Sequence, residues 1–275
     1  MESVKILGVK VDNVNMGQSI NIVEDWLKGN GKHYIVTPNP EFILASQQDA
    51  EFRKVLNNSD LSIPDGSRLG WASRMVAEKN FLKKILLFPF FLFPANTVIQ
   101  FNTVAGVDLM EALCREAADK GYTTGFLGGQ NTVARTTADC LQKKYPKLKV
   151  VFASDGPRVD ENGESAGQQI SKSADQGIAD SPILRLADTP VDILFVAFGQ
   201  VKQEKWIAKN LDKIPVRVAM GVGGAFDYLS DSVIRAPGFI RAIGLEWLFR
   251  LILQPWRIKR QIKLLNFITL LLFKT

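Results

Sequence analysis

Seven short runs of apolar and β-branched residues recur along the chain, and amphipathic stretches separate several of them. The runs cover residues 4–11, 33–37, 61–63, 123–127, 149–153, 192–198 and 216–220. Runs of this kind are typical of strands that are buried on both faces. Between two of them, residues Leu109, Leu113 and Ala117 follow at four-residue steps, as one face of a helix requires. The alternation predicts an α/β fold with a mostly parallel sheet and helices on both faces.

The positive charge of the chain is concentrated at its C-terminal end. The 275 residues carry a net charge of +6, yet residues 1–240 contain 27 basic and 27 acidic side chains. From Arg241 onward there are seven basic residues and one acid, Glu246. A balanced body with a basic, apolar tail favours an anionic partner at the tail, either a membrane surface or a phosphate group.

Two stretches depart from the strand–helix pattern. Residues 157–190 are polar, which predicts a surface excursion. Residues 81–95 are strongly apolar, but their run from Ile85 to Ala95 covers 11 positions and contains two prolines. A membrane-spanning helix needs about 20 residues, so a span is improbable. A core segment, a hydrophobic flap, an interface and a membrane-dipping loop remain open for this stretch.

Several kinds of chemistry find no support in the composition. Cys114 and Cys140 are too few for a disulfide framework, which favours a reducing cytosol, and His33 is the only histidine. No P-loop, complete GxGxxG or DxD sequence occurs, so neither a standard nucleotide cofactor nor a bound metal is expected. A nucleic-acid partner is disfavoured as well, because the basic residues of the tail are interleaved with long aliphatic side chains.

Polar side chains follow four of the predicted strands. Thr37 and Asn39 come at the end of one, Asp65 follows the next in a Pro-Asp-Gly turn, and Gln203 and Asp227 follow the last two. Ligands of parallel sheets bind at this edge, so these residues are candidates for a site. Asp65 as a simple turn former is the competing interpretation. The glycines of 221–224 either permit a tight turn or let backbone amides approach a phosphate.

An ordered set of motifs resembles the WecG/TagA/CpsF family of bacterial glycosyltransferases over nearly the whole chain. The motifs are TPNPEFILAS (37–46), IPDGSRLGWASR (63–74), AGVDLMEAL (105–113), FLGG (126–129), DILFVAFGQVKQEKWI (192–207), GVGGAFDYLSDSVIRAP (221–237) and GLEWLFRLILQPWRIKR (244–260). Each motif alone is weak, whereas the set in this order is specific.

The resemblance implies a Rossmann-like body with a helical C-terminal appendage that approaches the membrane. It implies a metal-independent, inverting transfer of an N-acetylmannosamine-type sugar from a UDP-sugar donor. The implied acceptor is an amino sugar on undecaprenyl diphosphate, at the cytoplasmic, inner face of the cell membrane. The products would enter teichoic acid, exopolysaccharide or related cell-surface polymers. The competing hypothesis is a catalytically degenerate, membrane-associated binding or scaffold protein on the same fold.

Carried over by position, the resemblance makes Asp65 the catalytic base. Thr37 and Asn39 match polar groups that line the same pocket. Gln203 and Asp227 match positions on the donor-nucleotide side. The arginines of the appendage that match diphosphate-binding positions are Arg250, Arg257 and Arg260. A guanidinium suits that task because its planar donors pair with phosphate oxygens.

The chain departs from the family pattern in three places, one of which is Gln200-Val201 before the KQE motif, where the family usually has a small residue and a proline. Thr103 stands where the family usually has an arginine, three residues before the glycine of the GVDL motif, and Arg68 and Arg74 are candidates to replace it. The apolar stretch 79–101 has the character of an insertion. Because lysines lie beside it, one interpretation of this stretch is a second membrane contact.

The predicted organisation is a glycosyltransferase domain over residues 1–237 and a basic amphipathic appendage over 238–275. Pro255 predicts a junction between two helices in the appendage. We expect the body to remain soluble without the appendage, and a homo-oligomer is left open. The apolar side chains expected to face an anionic membrane are Trp247, Leu251, Trp256, Ile262, Leu265 and Phe267.

Overall fold

The computed structural model of the chain describes residues 2–87, 89–92, 101–165, 186, 188–242 and 244–274. Within these residues, six parallel strands form a central sheet with the order β4-β3-β8-β7-β5-β6, and β1 and β2 form a separate antiparallel hairpin. The strands are β1 (Ser3–Ile6), β2 (Val9–Asp12), β3 (His33–Val36), β4 (Leu61–Ser62), β5 (Thr123–Gly128), β6 (Lys149–Ser154), β7 (Val191–Ala197) and β8 (Val216–Gly221).

Helices connect the strands and cover both faces of the sheet. In the central strand β7, Ile193 and Phe195 belong to one hydrophobic cluster, whereas Leu194 and Val196 belong to another on the opposite face. The helices are α1 (Met16–Lys28), α2 (Pro40–Gln48), α3 (Ala50–Asn57), α4 (Ser67–Ala77), α5 (Phe81–Leu87), α6 (Pro89–Leu92), α7 (Gly106–Lys120), α8 (Val133–Lys144), α9 (Lys202–Asn210), α10 (Ala225–Leu229), α11 (Gly238–Ala242), α12 (Glu246–Leu253) and α13 (Ile258–Lys274). The predicted α/β class is confirmed.

Six of the seven predicted strands lie in the parallel sheet, but the assignment of 4–11 to one strand is wrong. That run contains a tight turn at Leu7 and Gly8, whose φ angles are +48° and +86°. Glycine adopts such angles readily, and two consecutive positive angles are typical of a two-residue hairpin. The hairpin then packs beside β4, where the buried Asp12 carboxylate accepts a hydrogen bond from the Ser62 amide at 2.8 Å.

The two unusual stretches are described only in part. The apolar stretch forms α5 and α6, and the indole of Trp71 in α4 donates to the Leu87 carbonyl at 2.6 Å. Residues 93–95 of this stretch lie outside the described residues. In the polar stretch, Val159 forms an isolated bridge with Ser165. The prediction of a surface excursion concerns mainly 166–185, which also lie outside the described residues.

The C-terminal helices meet at Pro255, as predicted. Pro255 begins a short 3₁₀ turn between α12 and α13. Helix α13 then packs against α2 and α4, and its buried side chains share one hydrophobic cluster with the N-terminal hairpin. Those side chains are Leu264, Phe267, Ile268 and Leu271. The division of the chain near residue 237 stays a prediction, and the shared cluster argues against a body that folds without the appendage.

Two of the side chains that were expected to contact the membrane are directed toward the protein instead. Phe267 is fully buried in the cluster between α13 and the body, because it lies on the same helix face as Leu264 and Leu271. Trp247 is half-buried and lines a cavity beside Arg68. Trp256, Ile262 and Leu265 are exposed. Within the described parts of the chain, no helix combines the length and the apolar character that a membrane crossing requires.

We expect Phe267→Ala to lower the free energy of unfolding by about 3–5 kcal/mol, because the substitution leaves a cavity in a closed cluster. Urea denaturation of the full chain measures this change. Ile262→Ala is the matched control, since Ile262 lies on the exposed side of the same helix. An equal loss in both variants would contradict the packing of α13 on the body.

Candidate active site

A cavity of about 520 Å³ lies at the carboxyl ends of β3, β4, β7 and β8. Thr37 comes directly after β3, Asp65 follows β4, and Gly199 follows β7. This edge of a parallel sheet is the usual ligand site, because loops and helix N-termini converge there. The structure therefore brings the polar residues that follow separate strands to one cavity.

Helices α12 and α13 supply the remaining wall of the cavity. Trp247 and Arg250 of α12 line it, as do Gln254 and Gln261 further along the chain. The body and the C-terminal segment thus enclose the cavity together. A change in the position of α12 would alter the cavity directly.

Asp65 is fixed by two hydrogen bonds to other segments. Its amide donates to the Pro38 carbonyl at 2.9 Å, and its Oδ1 accepts from the Gly106 amide, the first residue of α7, at 3.2 Å. The next residue, Gly66, has φ +87°, which lets the chain turn into α4. A Cβ on Gly106 would lie 3.4 Å from Thr37 Oγ1, an ordinary van der Waals distance, so Thr37 is a direct neighbour of the residue that binds Asp65.

Burial raises the pKa of Asp65 to about 6. The hydrogen bond from Gly106 and the positive charges of Arg250 and Arg235 act in the opposite direction, and the negative charge of Glu246 raises the pKa further. One part of the side chain still faces the cavity. A carboxylate with this pKa is ionised at neutral pH and is a stronger base than an ordinary aspartate.

Thr37, Asn39 and Asp227 also line the cavity. Thr37 is buried at the end of β3. The Oδ1 of Asn39 accepts from the amides of Glu41 and Phe42 at 2.9 and 3.1 Å, so this side chain caps α2. Asp227 is exposed on the short helix α10. The sequence-based prediction that these residues share a pocket with Asp65 agrees with their placement, and their roles stay predictions.

Gln203 joins the start of α9 to the glycine loop after β8. Its Oε1 accepts from the Gly223 amide at 3.0 Å, and its Nε2 donates to Glu204 Oε1 at 2.6 Å. Glu204 Oε2 accepts from the Val201 amide at 2.8 Å. Each donor in this chain of hydrogen bonds meets an acceptor. The chain thereby fixes the glycine loop after β8 against the start of α9.

The local backbone around Glu204 has little freedom. Val201 has φ +74°, a conformation that costs energy for a β-branched residue. A Cβ on Gly221 would lie 2.6 Å from Glu204 Oε1, so a larger residue there would have to displace the Glu204 carboxylate from its hydrogen bonds. Full burial raises the pKa of Glu204 to about 7, although its hydrogen bonds from Gln203 and Val201 favour the ionised form. Such strain is commonly retained where it positions a functional loop.

Arg250 lies between a carboxylate and an aromatic ring at the cavity wall. Its guanidinium donates to Glu246 one turn earlier and lies 4.6 Å from the centre of the Tyr228 ring. Its Nε is buried without a hydrogen-bond partner among the described residues. A buried donor of this kind is unusual and is typical of a group that a ligand can engage.

Arg68 is a cavity residue that sequence reasoning named only as a replacement for the missing arginine. Its guanidinium lies 4.9 Å from the Phe91 ring and 4.7 Å from the Trp247 ring, and it donates to Gln261 Oε1 at 3.2 Å. Burial lowers its pKa to about 10, so it remains a cation at neutral pH. Arg74, the other candidate, is exposed and is not among the residues that line the cavity.

Two predicted arginines are described only by their backbones. Arg257 ends the 3₁₀ turn and Arg260 lies in the first turn of α13. Their side chains lie outside what the structure describes, so their contribution stays a prediction. Thr103 lies shortly before Val104, whose amide donates to the Pro64 carbonyl at 3.0 Å, and it is not a lining residue of the cavity.

The histidine lies at the other end of the sheet. His33 begins β3 and stacks on Trp26 with 4.4 Å between ring centres, whereas the cavity is at the carboxyl end of the strand. In the described parts of the chain, no group of three or more His, Cys, Asp or Glu side chains is arranged to hold a metal ion. The titratable side chains that line the cavity are carboxylates, arginines and Tyr228.

A model of the glycosyl transferase WecG/TagA/CpsF family matches residues 4–92 and 95–275. The chain belongs to this family. It is a glycosyltransferase, and the resemblance drawn from the sequence motifs is confirmed. The match includes the cavity residues of the body and of the C-terminal wall alike.

Two curated relatives carry the same name, N-acetylglucosaminyldiphosphoundecaprenol N-acetyl-beta-D-mannosaminyltransferase. The protein from Bacillus subtilis is 28% identical over 272 residues, which are 96% of this chain and 89% of the relative. The protein from Bacillus spizizenii is 28% identical over 247 residues, which are 90% of this chain and 81% of the relative. The similarity thus extends over most of each relative.

Exchanging Gln203 and Glu204 tests the hydrogen-bond chain at the glycine loop. Gln203→Glu places two carboxylates in contact, and Glu204→Gln turns an amide donor toward the donor of Gln203. The double exchange restores one acceptor for each donor, so it should be more stable than the sum of the single changes by about 0.5–3 kcal/mol. Chemical denaturation of the four proteins at pH 8 measures this coupling, and additive effects would contradict it.

Proposed function

We propose that the protein transfers an N-acetylmannosamine-type sugar from a UDP donor to an amino sugar carried on undecaprenyl diphosphate. The observation that carries the proposal is the Asp65 carboxylate, held in a cavity whose walls also contain Arg68 and Arg250. One group can accept a proton there, and two can meet phosphate charge. The names of the two Bacillus relatives support the choice of sugar and acceptor.

Asp65 acts as the general base in the proposed reaction. It accepts the proton of the acceptor hydroxyl as that oxygen attacks the anomeric carbon of the donor. A new glycosidic bond forms on one face of the sugar while the bond to the UDP oxygen breaks on the other. The configuration is thereby inverted, the proton remains on Asp65, and the electron pair leaves with UDP.

The leaving diphosphate is stabilised by arginines and backbone amides without a metal ion or other cofactor. Arg68 and Arg250 line the cavity, and their planar guanidinium groups suit phosphate oxygens. Arg257 and Arg260 join them in the proposal on the basis of sequence position. The glycine loop offers backbone amides beside Gln203 and Asp227, which are assigned to the donor nucleotide.

In this proposal the enzyme is located at the inner face of the cell membrane, to which it binds peripherally. Support comes from the basic, apolar C-terminal segment, which includes exposed Ile252, Trp256 and Ile262 and contains no acid after Glu246. The product would enter the synthesis of a cell-surface polysaccharide or teichoic acid. A nucleic-acid partner has no place in this proposal, and homo-oligomers remain compatible with it.

Asp65→Asn should lower kcat by roughly 10²- to 10⁴-fold, because the amide cannot accept the proton. Release of UDP from a UDP-N-acetylmannosamine donor in the presence of a lipid-linked acceptor measures the loss. The fold raises the Asp65 pKa from 3.8 to about 6, so ionisation of Asp65 destabilises the folded state. The loss of stability builds up between these two pH values and is complete above about pH 6. The Asn variant should therefore melt no earlier than the parent at pH 7.5. Full activity in this variant would remove Asp65 as the base.

The pH profile of kcat/KM should rise up to about pH 6 and then level off, because Asp65 must be ionised to act as a base. Glu246→Gln removes a negative charge and should move the rising limb to lower pH. Arg250→Met removes a positive charge and should move it to higher pH, in addition to reducing the rate. If the rising limbs of the two variants shifted in the same direction, a group other than Asp65 would control the profile.

A further inference from the structure

Helix α5 has its apolar side chains on the outside. Phe81, Leu82, Ile85 and Leu86 are between 47% and 72% exposed, whereas Lys84 is 3% exposed. Residues four apart lie above each other on a helix, so these four side chains form one side of it. A helix that packs on a body in water normally has the reverse arrangement. The exposed side of α5 is therefore suited to an apolar environment.

The exposed side of α5 continues onto the C-terminal helix. The ring of Phe273 in α13 lies 6.2 Å from the ring of Phe81. From Phe273 back toward Pro255, exposed apolar residues of α13 recur at spacings that place them on one stripe. We call the two sets together the outer apolar face, and its members are Phe81, Leu82, Ile85, Leu86, Ile258, Ile262, Leu265 and Phe273.

The charges beside the outer apolar face are positive. Lys79 is exposed just before α5, Lys83 is exposed on α5 itself, and Lys259 and Lys263 are exposed on α13. The sequence has no acidic residue from 79 to 107 or after Glu246. Apolar residues bordered by lysines match the acyl region and the charged headgroups of an anionic bilayer.

The α5–α6 segment and the C-terminal helices both contact Arg68, a residue that lines the cavity. The guanidinium of Arg68 is held between the Phe91 ring of α6 and the Trp247 ring of α12, at 4.9 and 4.7 Å. The Trp71 indole ties the end of α5 to α4, the helix that carries Arg68. A surface that fixes both segments would therefore also fix a wall of the cavity.

We propose that the outer apolar face docks on an anionic lipid bilayer and that α5 inserts its exposed side into it. Two helices in contact with the bilayer define the orientation of the body, which a single amphipathic helix leaves free to roll. Arg68, which lines the cavity between Phe91 and Trp247, is then held next to the headgroups. The purpose of this orientation rests on the proposed lipid-linked acceptor, whereas the docking does not.

Co-sedimentation of the full chain with vesicles tests the docking. The vesicles consist either of phosphatidylcholine with phosphatidylglycerol or of phosphatidylcholine alone. The double variant Leu82→Glu/Leu86→Glu should lower the partition coefficient on anionic vesicles at least tenfold. The reason is that two leucine side chains no longer bury apolar area in the interface. Lys83→Gln should lower it about fivefold on anionic vesicles only.

Val151→Glu is the matched control, because Val151 is an exposed aliphatic residue on β6, at the sheet edge opposite to β4. It should bind vesicles like the parent. Leu86→Trp supplies a second readout in a minimally altered helix, since brominated lipids should quench its added fluorescence. Unchanged binding of the double Glu variant, or no quenching of Trp at position 86, would overturn the proposal.

A second copy of the chain is the other possible occupant of this face. Sedimentation velocity without lipid distinguishes it: a parent dimer that the double Glu variant dissociates would overturn docking on lipid. Turnover is measured with a short, water-soluble acceptor as well. The double Glu variant should retain the parent rate on this soluble acceptor. An equal loss of rate on the soluble and the lipid-linked acceptor would place the effect in the cavity and overturn the proposal. If the parent turns over neither acceptor, the proposed function fails while the vesicle result stands.

Discussion

The two hydrogen bonds of Asp65 are the interaction on which the arrangement of the site depends. The amide of Asp65 binds the end of β3 through Pro38, and its carboxylate binds the start of α7 through Gly106. Three segments that are far apart in sequence are thereby joined around one acid. Thr37 lies beside the same point, since a Cβ built on Gly106 would be in van der Waals contact with its side chain. The position of the Asp65 carboxylate is thus set by the segments that follow the strands and by the start of α7.

The cavity balances burial against charge. Burial alone would make Asp65 a poor anion, but Arg250 and Arg235 oppose that effect and Glu246 tempers Arg250. Arg68 remains a cation within an aromatic clamp, although its pKa is lowered. Arg68 and Arg250 each keep a buried Nε without a hydrogen-bond partner among the described residues, and the C-terminal helices line the same cavity. The body supplies Asp65, and the C-terminal segment supplies Arg250, one of the positive charges that oppose the effect of burial on its pKa.

Local chemistry made much of the fold and the strand-end residues predictable. The buried strands show as apolar runs, and Pro-Asp-Gly and the glycine loop mark the turns after them, because turns need particular residues. Asp65, Gln203 and Asp227 were found by this argument. The N-terminal hairpin was missed, since a single glycine inside an apolar run does not reveal a turn until its partner strand is known.

Features that depend on distant segments were not predictable in the same way. Arg68 owes its place to Phe91 and Trp247, which follow it by 23 and 179 positions in the chain. Phe267 was assigned to a membrane because an amphipathic pattern does not state whether protein or lipid covers the apolar side. The body covers it, and the side of α13 that remains exposed is the other one.

The shared cluster of α13 and the N-terminal hairpin has a consequence for the kinetics of folding. Val11 and Leu264 belong to this cluster and lie 253 positions apart in the chain. Contacts between such distant segments cost more loop-closure entropy than local contacts and form more slowly. We therefore expect the sheet to form first and this cluster to close later. The wall that carries Trp247 and Arg250 then reaches its place after Asp65 has reached its own, so the cavity is completed in a late step of folding.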